Sequence, residues 1–480
     1  RQGLYFLYLY LQGIINALLM KKQWLFALIA FVIIALLGIV FPYSFNTGDT
    51  QGIDPGDTAW MLASTALVFL MTPGLGFFYG GMVKPKNVIS TILQSFIAMG
   101  LISILWVVFG FSLAFGESVG AEGYGLFGNP ATFFMFKGVG GAPNPDFSAT
   151  IPLALFALFQ LKFAIITPAL FTGSFAGRVR FTALMIFMVL FMIFIYAPLA
   201  HWTWHPNGFL RNWGVLDFAG GTVVHMSAGM AALAGAFFFG PRRDYARPSY
   251  PANIPFVLLG TGLLWFGWFG FNAGSALGAS DVAVKALLNT NTASASAMLV
   301  YIFFDGVRGR KPSALGACVG AVVGLVAMTP AAGFVSVGSS LFIGGSAAIA
   351  SNLMIYFFSR RGVDDTLDVF PAHGIGGMAG MLLTGVFAEE VGLIHGETTT
   401  FLFHLLALLI VSAFAFGGSL LLYWITNKIV PMRVPSVYED VGLDLSQHDE
   451  TLFYENDEKV RLRKEKLKNY SPDFYPRKPK

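Results

Sequence analysis

The chain has 480 residues, 55% of them hydrophobic and only 12% charged, with a formal net charge of +4. Soluble domains carry about 25% charged residues, roughly twice this share, so a water-soluble globular protein is excluded. The apolar residues fall in continuous, non-alternating runs of about 20, which read as membrane-spanning helices and exclude a transmembrane β-barrel. The basic residues sit in short loops between these runs, so the net charge carries no case for nucleic acid. The lone Cys318 lies in a small-residue apolar run and excludes a disulfide framework within the chain.

Residues 1–19 are apolar and aromatic. Met20-Lys21-Lys22 followed by Leu25–Val40 reads as a secretory signal, a basic start before a hydrophobic core. No clear small-x-small cleavage site follows, so an uncleaved N-terminal helix is the alternative for this extension, residues 1–50. After the polar linker Asn46–Asp57, a transmembrane domain over 51–430 holds eleven expected spans. They lie near 58–81, 88–115, 150–171, 181–200, 217–239, 254–277, 282–304, 313–330, 338–358, 370–388 and 400–427. Residues 431–480 turn polar and charged and read as a cytoplasmic tail with one or two short helices.

The charges between spans set the orientation. One set of loops carries Lys84, Lys86, Arg178, Arg180, Arg242, Arg243, Arg247, Arg308, Arg310, Lys311, Arg360 and Arg361. The other carries mainly Lys137 and Arg211 beside acidic residues. The positive-inside bias then places the N-terminus outside and the tail in the cytoplasm of an inner or plasma membrane. With an odd number of spans, five plus five plus one, the two halves are inverted repeats, and sites in such folds lie at the repeat interface.

One stretch in each half carries chemistry. Span five opens Asp217-Phe-Ala-Gly-Gly-Thr-Val-Val-His225, and span ten is entered through Asp368-Val-Phe-Pro-Ala-His373 and carries its histidine near its start. Each histidine is followed, four residues on, by Gly-Met-Ala. Ionisable groups at membrane depth are costly and mark function by default. Imidazole donates or accepts at each nitrogen and titrates near neutrality, which suits a proton relay. Asp217 reads as the N-cap of span five and Asp368 as its counterpart capping span ten. Surrounding glycines let helix backbones approach closely.

These two stretches, together with Trp268-Phe-Gly-Phe-Asn-Ala-Gly-Ser275, Tyr79-Gly-Gly-Met-Val and Gly442-Leu-Asp-Leu-Ser, resemble the ammonium transporter family (Amt/Mep, with Rh proteins as relatives) over residues 55–450. The resemblance implies a cofactor-free homotrimer with one pore per subunit, in which ammonium is recruited at an outer mouth. A PII-type regulator would act at the cytoplasmic face. It further implies that Trp204 and Ser275 recruit the cation, as in the Amt rather than the Rh branch. Trp268 and Asp217 shape that site, Phe163 and Phe271 close the mouth as a stacked pair, and His225 and His373 line the lumen. Lys162, beside Phe163, departs from the usual small or apolar residue. A helix turns about 100° per residue, so its side chain is expected to point away from the lumen.

Other signals are weaker. His201 and His205 have metal-ligand spacing without a third ligand, and no metal site is expected. Asp217, His225 and Ser227 are hydrolase residue types without a nucleophile elbow, so an enzyme is not expected. Trp202, His395, His404 and His448 receive no role. The competing reading to a transporter is an ammonium sensor that signals through the tail; a gas channel, as in Rh relatives, is disfavoured by Trp204 and Ser275.

Overall fold

The computed structural model describes residues 22, 24–40, 42–43, 45, 48–246, 250–452 and 457–470. Residues 1–21, including Met20 and Lys21 at the start of the expected signal, lie outside the described residues. The signal's apolar core is the helix Trp24–Val40, whose side chains are largely exposed.

Ten helices among the described residues are long and apolar enough to cross a bilayer: Pro55–Met82, Pro85–Phe115, Leu153–Phe175, Phe181–Trp204, Gly221–Phe239, Ile254–Ala276, Asp281–Val307, Val337–Arg361, Phe370–Phe387 and Thr398–Ile429. The shorter helix Ala314–Met328 is the eighth of eleven spans. It is buried along nearly its whole length, so it needs less apolar length than the lipid-facing spans. The fold is an all-helical polytopic membrane bundle, five plus five plus one. The ends of spans seven, eight and nine are cut by Ser280, Ser313 and Ser336, whose hydroxyls accept the N–H three residues on at 3.3, 2.9 and 3.2 Å. Spans one and six pack backbone to backbone, since a Cβ on Gly260 would strike the main chain of Phe78.

Five spans depart from regular α geometry through a wide π-type turn: Trp106–Gly110, Met192–Tyr196, Gly221–Met226, Phe269–Ala273 and Phe370–Ile375. Such turns re-aim side chains and cluster at functional sites. Two of them carry the histidines. A small antiparallel hairpin, Ser118–Ala121 with Tyr124–Gly128, follows span two and was not expected. Its strands are too short to show an alternating pattern.

The tail folds back onto one end of the bundle. Its helices Ser436–Val441 and Leu443–His448 sit against the start of span two. Asp444 accepts the N–H groups of Ile89 and Ser90 at 3.1 and 2.8 Å, and Asn87 accepts that of Leu443 at 2.9 Å. Arg433 holds Glu439 at 2.7 Å, and Lys86 donates to the carbonyl of Asp440 at 3.1 Å. The basic loop residues Lys84, Arg178, Arg242 and Arg243 gather at this same end, with Arg242 paired to Asp364 at 2.8 Å and Arg243 to Asp440 at 3.5 Å. Arg178 is fully buried there, 3.6 Å from the Asp364 carboxylate; burial pushes its guanidinium down to about 10, still charged at neutral pH.

Candidate functional site: an aromatic mouth above a buried histidine pair

At the end opposite the tail, spans three, four and six surround a vestibule of about 170 Å³ lined by Gln160, Phe163, Trp204, Phe218 and Ser275 among others. Trp204 is held at two points. Its indole Nε1 donates to the carbonyl of Asp217 at 3.2 Å, and its main-chain carbonyl accepts from Arg211 at 2.6 Å. Its ring meets Phe163 edge-on at 5.9 Å. Below it Phe163 and Phe271 stack with centroids 4.2 Å apart, and both are buried, so the vestibule floor is closed. The Ser275 hydroxyl donates back to the carbonyl of Phe271 at 2.8 Å, which leaves its oxygen lone pairs able to accept.

Beneath the phenylalanines lies the histidine pair. His225 is 5.9 Å from Phe271 and stacks on Trp268 at 5.3 Å; the Trp268 Nε1 is anchored on Thr329 at 3.0 Å. The imidazoles of His225 and His373 lie 5.4 Å apart and meet Nδ1 to Nδ1 at 3.3 Å. The Nε2 of His225 is buried with no protein partner. On the far side His373, Tyr79 and Val322 border a small void of about 10 Å³.

The sequence places these rings through glycine. A Cβ on Gly229, four residues after His225, would fall on the backbone of Gly374, next to His373. A Cβ on Gly377, four residues after His373, would lie 3.1 Å from the carbonyl of Gly221 and 3.2 Å from the Cβ of His225. The crossing of spans five and ten is therefore reciprocal, with each histidine packed against the other helix's glycine. A methyl at Gly229 would collide with main chain, and one at Gly377 would be tight, so small residues at both points let the imidazoles meet.

Asp217 caps span five as expected. Its carboxylate accepts the N–H groups of Gly220, Gly221 and Thr222 at 2.8, 2.6 and 2.8 Å, and the Thr222 hydroxyl at 2.5 Å. Gly220, at φ +108°, makes the turn that brings these donors round one carboxylate. The expectation that Asp368 caps span ten is corrected. The carboxylate that accepts the Phe370 N–H, at 2.7 Å, belongs to Asp365. Asp368 sits at φ +55° and contributes its main-chain carbonyl, which accepts from Ala372 at 3.0 Å. Burial pushes the Asp365 carboxyl up to about 6, against the hydrogen bonds from Phe370 and Val369.

Lys162 points away from the lumen, its Nζ lying 4.8 Å from the centre of the Phe69 ring on span one. His201 and His205 stack on one another at 4.2 Å, and three of their four ring nitrogens are engaged: His201 with Ser118 at 2.8 Å and Ala114 at 3.0 Å, the His205 Nδ1 accepting the Asn207 N–H at 3.0 Å. Among the described residues no three metal-ligating side chains converge.

Several contributors were not singled out from sequence. His404 on span eleven accepts the Leu216 N–H at 2.9 Å and contacts the Met381 carbonyl at 2.8 Å, fixing the backbone just before Asp217. Arg211, Gln160 and Phe218 complete the mouth. Arg211 is one of few basic residues at this end, and that rarity was the available signal. Nothing marks Phe218 among 49 phenylalanines.

The chain matches the Ammonium Transporter Family over residues 59–453. It is 42% identical to an ammonium transporter of Aquifex aeolicus over 429 residues, covering 88% of this chain and 99% of that one. Identity to an ammonium transporter of Bacillus subtilis is also 42%, over 84% of this chain and 99% of the relative. Among solved structures, Saccharomyces cerevisiae Mep2 is similar with a TM-score of 0.76 at 33% identity, covering 81% of this chain and 91% of Mep2. A protein described as a sensor Amt protein is similar with a TM-score of 0.75 at 29% identity, over 82% and 98% of the two chains. The chain belongs to the ammonium transporter family.

Proposed function

We propose that this protein recruits ammonium at the Trp204 vestibule, removes a proton there, and conducts ammonia past the His225–His373 pair while the proton is relayed separately. The observation that carries the reading is the buried Nδ1–Nδ1 contact at 3.3 Å with the His225 Nε2 left unpartnered. One proton satisfies such a contact, one ring donating and the other accepting, and the free Nε2 then offers a lone pair or a proton to a small passing base. Bare ammonium in a low-dielectric lumen faces a Born penalty on the order of tens of kcal/mol, so shedding the proton at the mouth removes the main barrier.

Each mouth residue has a part. The faces of Trp204 and Phe163 attract a cation by about 0.5–2 kcal/mol each. Ser275 and the nearby carbonyls accept N–H bonds, and Trp268 keeps His225 upright. The Asp217 carboxylate favours positive charge in the mouth through the backbone it organises. Phe163 and Phe271 exclude water until they part. The resemblance further carries a homotrimer with one pore per subunit and a plasma or inner membrane setting. In that setting the vestibule lies outside, the tail lies in the cytoplasm, and a PII-type regulator meets the basic loops and tail.

The test is current and flux on an ammonium pulse in proteoliposomes, wild type against His225→Ala/His373→Ala. Wild-type current that disappears in the double variant is expected. A second reading, an ammonium sensor, draws on the likeness to the sensor Amt protein. Wild-type protein that binds ammonium yet gives neither current nor flux would replace the first reading with the second.

A further inference from the structure

We propose that His404 is a positioning residue of the recruitment site: from span eleven it fixes the orientation of Trp204 through the main chain of the loop that enters span five. This rests on the Trp204 vestibule being the place where ammonium is recruited. His404 is fully buried on the membrane-spanning helix Thr398–Ile429. It packs against bare backbone, since a Cβ on Gly385 of span ten would lie 3.1 Å from the His404 Cβ.

The tautomer follows from the two partners. The Leu216 N–H donates to Nε2 at 2.9 Å, so that nitrogen carries a lone pair. Nδ1 then carries the proton and donates to the Met381 carbonyl of span ten at 2.8 Å. A histidine that only joined spans ten and eleven would need the Met381 contact alone. Here the second nitrogen leaves the helix pair and takes a main-chain donor from a loop.

From that donor the path to the mouth is short. Leu216 precedes Asp217, whose carbonyl accepts from the Trp204 Nε1 at 3.2 Å. The N–H of the same peptide unit, on Phe218, donates to the Pro330 carbonyl just past span eight at 3.1 Å. The peptide that holds the indole is therefore pinned on both sides, by Pro330 directly and by His404 through Leu216. Gly214 at φ +81° and Gly220 at φ +108° flank this stretch, and glycine leaves the backbone free to turn at each end. The pins supply the rigidity that the sequence of the loop lacks. Without the imidazole the Asp217 carbonyl is held from one side only, and the cation–π face of Trp204 loses its fixed aim. The His225–His373 pair lies deeper and keeps its own contacts, so the loss falls on affinity and not on turnover.

Two quantities on the full-length protein test this: the half-saturating ammonium concentration of flux in proteoliposomes, and ammonium affinity by calorimetry in detergent. His404→Leu and His404→Met remove both bonds. Each is expected to raise the half-saturating concentration and weaken binding roughly three- to tenfold, the range one neutral hydrogen bond spans. The maximal rate stays within about twofold of wild type. His404→Gln, whose amide offers both a donor and an acceptor, is expected to stay within about twofold of wild type in all respects. In a Trp204→Leu background, His404→Leu is expected to add less than about twofold, because the indole through which it acts is gone. Three results would each overturn the proposal: wild-type affinity and half-saturation in both apolar variants, an equal shift with and without Trp204, and a fall in maximal rate alone. Failure of both apolar variants to fold, with His404→Gln behaving as wild type, would overturn it too and make His404 a folding residue. Calorimetry reads recruitment without transport, so a wild type that binds ammonium and passes none would count against the transport reading and leave this one to the binding data.

Discussion

Trp204 and Asp217 act as one unit at the mouth, because the indole Nε1 is bonded to the carbonyl of the residue whose carboxylate caps span five. Replacing the indole by an aliphatic group removes a cation–π face worth about 0.5–2 kcal/mol. Trp204→Leu is accordingly expected to raise the half-saturating ammonium concentration of flux roughly 2- to 30-fold, with the maximal rate much less affected; an unchanged half-saturation would remove Trp204 from recruitment. Asp217 is more heavily committed, accepting four hydrogen bonds with two buried oxygens. In Asp217→Asn an amide donor would face one of these N–H groups, leaving buried donors opposed. The cost is about 2–5 kcal/mol in stability, read as a lowered melting midpoint together with lost flux. A variant that melts and transports like wild type would contradict the capping role.

Spans five and ten form the element on which the pore depends, and their crossing rests on absent side chains. Adding a methyl at Gly229 drives it into the main chain at Gly374, and overpacking of this kind costs roughly 1–3 kcal/mol where the backbone can yield. Gly229→Ala is expected to part the imidazoles and reduce flux at least tenfold, whereas Gly100→Ala, whose Cβ meets open space, leaves flux unchanged. Equal flux in both variants would show that the histidine contact does not depend on this crossing. The sequence announced much of this element: the repeated His-x-x-x-Gly spacing is a local pattern, and it named both rings and both glycines. The acid on span ten was misread for a physical reason. Which carboxylate reaches a helix end depends on the loop before it, and the left-handed turn at Asp368 hands the capping position to Asp365. The π-type turns and the pin from His404 were invisible for a similar reason, since each is decided by a neighbouring span rather than by local periodicity.

Across the whole molecule, the tail is bound to the loops that begin spans two and four, so any motion of the tail is felt at the starts of those helices. The contact is also titratable, and its two acid–base groups oppose one another. Burial pushes the Asp444 carboxyl up from 3.8 to about 6. A raised acid favours the docked state most fully below its unfolded value and loses that contribution as pH rises through 6. His448, 3.3 Å from the Ser90 hydroxyl, is pushed below 6.5 by burial. Its contribution is present above 6.5 and lost as pH falls. Between pH 7 and pH 5 the two groups thus drive wild-type docking in opposite directions, so neither is read out alone. His448→Gln exposes the Asp444 part: amide exchange across Leu443–Gln447, corrected for intrinsic rates, becomes slower at pH 5 than at pH 7. Adding Asp444→Asn abolishes that difference. Equal protection at both pH values in His448→Gln alone would show that Asp444 does not set the strength of the latch, and would leave the hydrogen bonds of Asn87 and Gln447 as what holds the tail to the membrane domain.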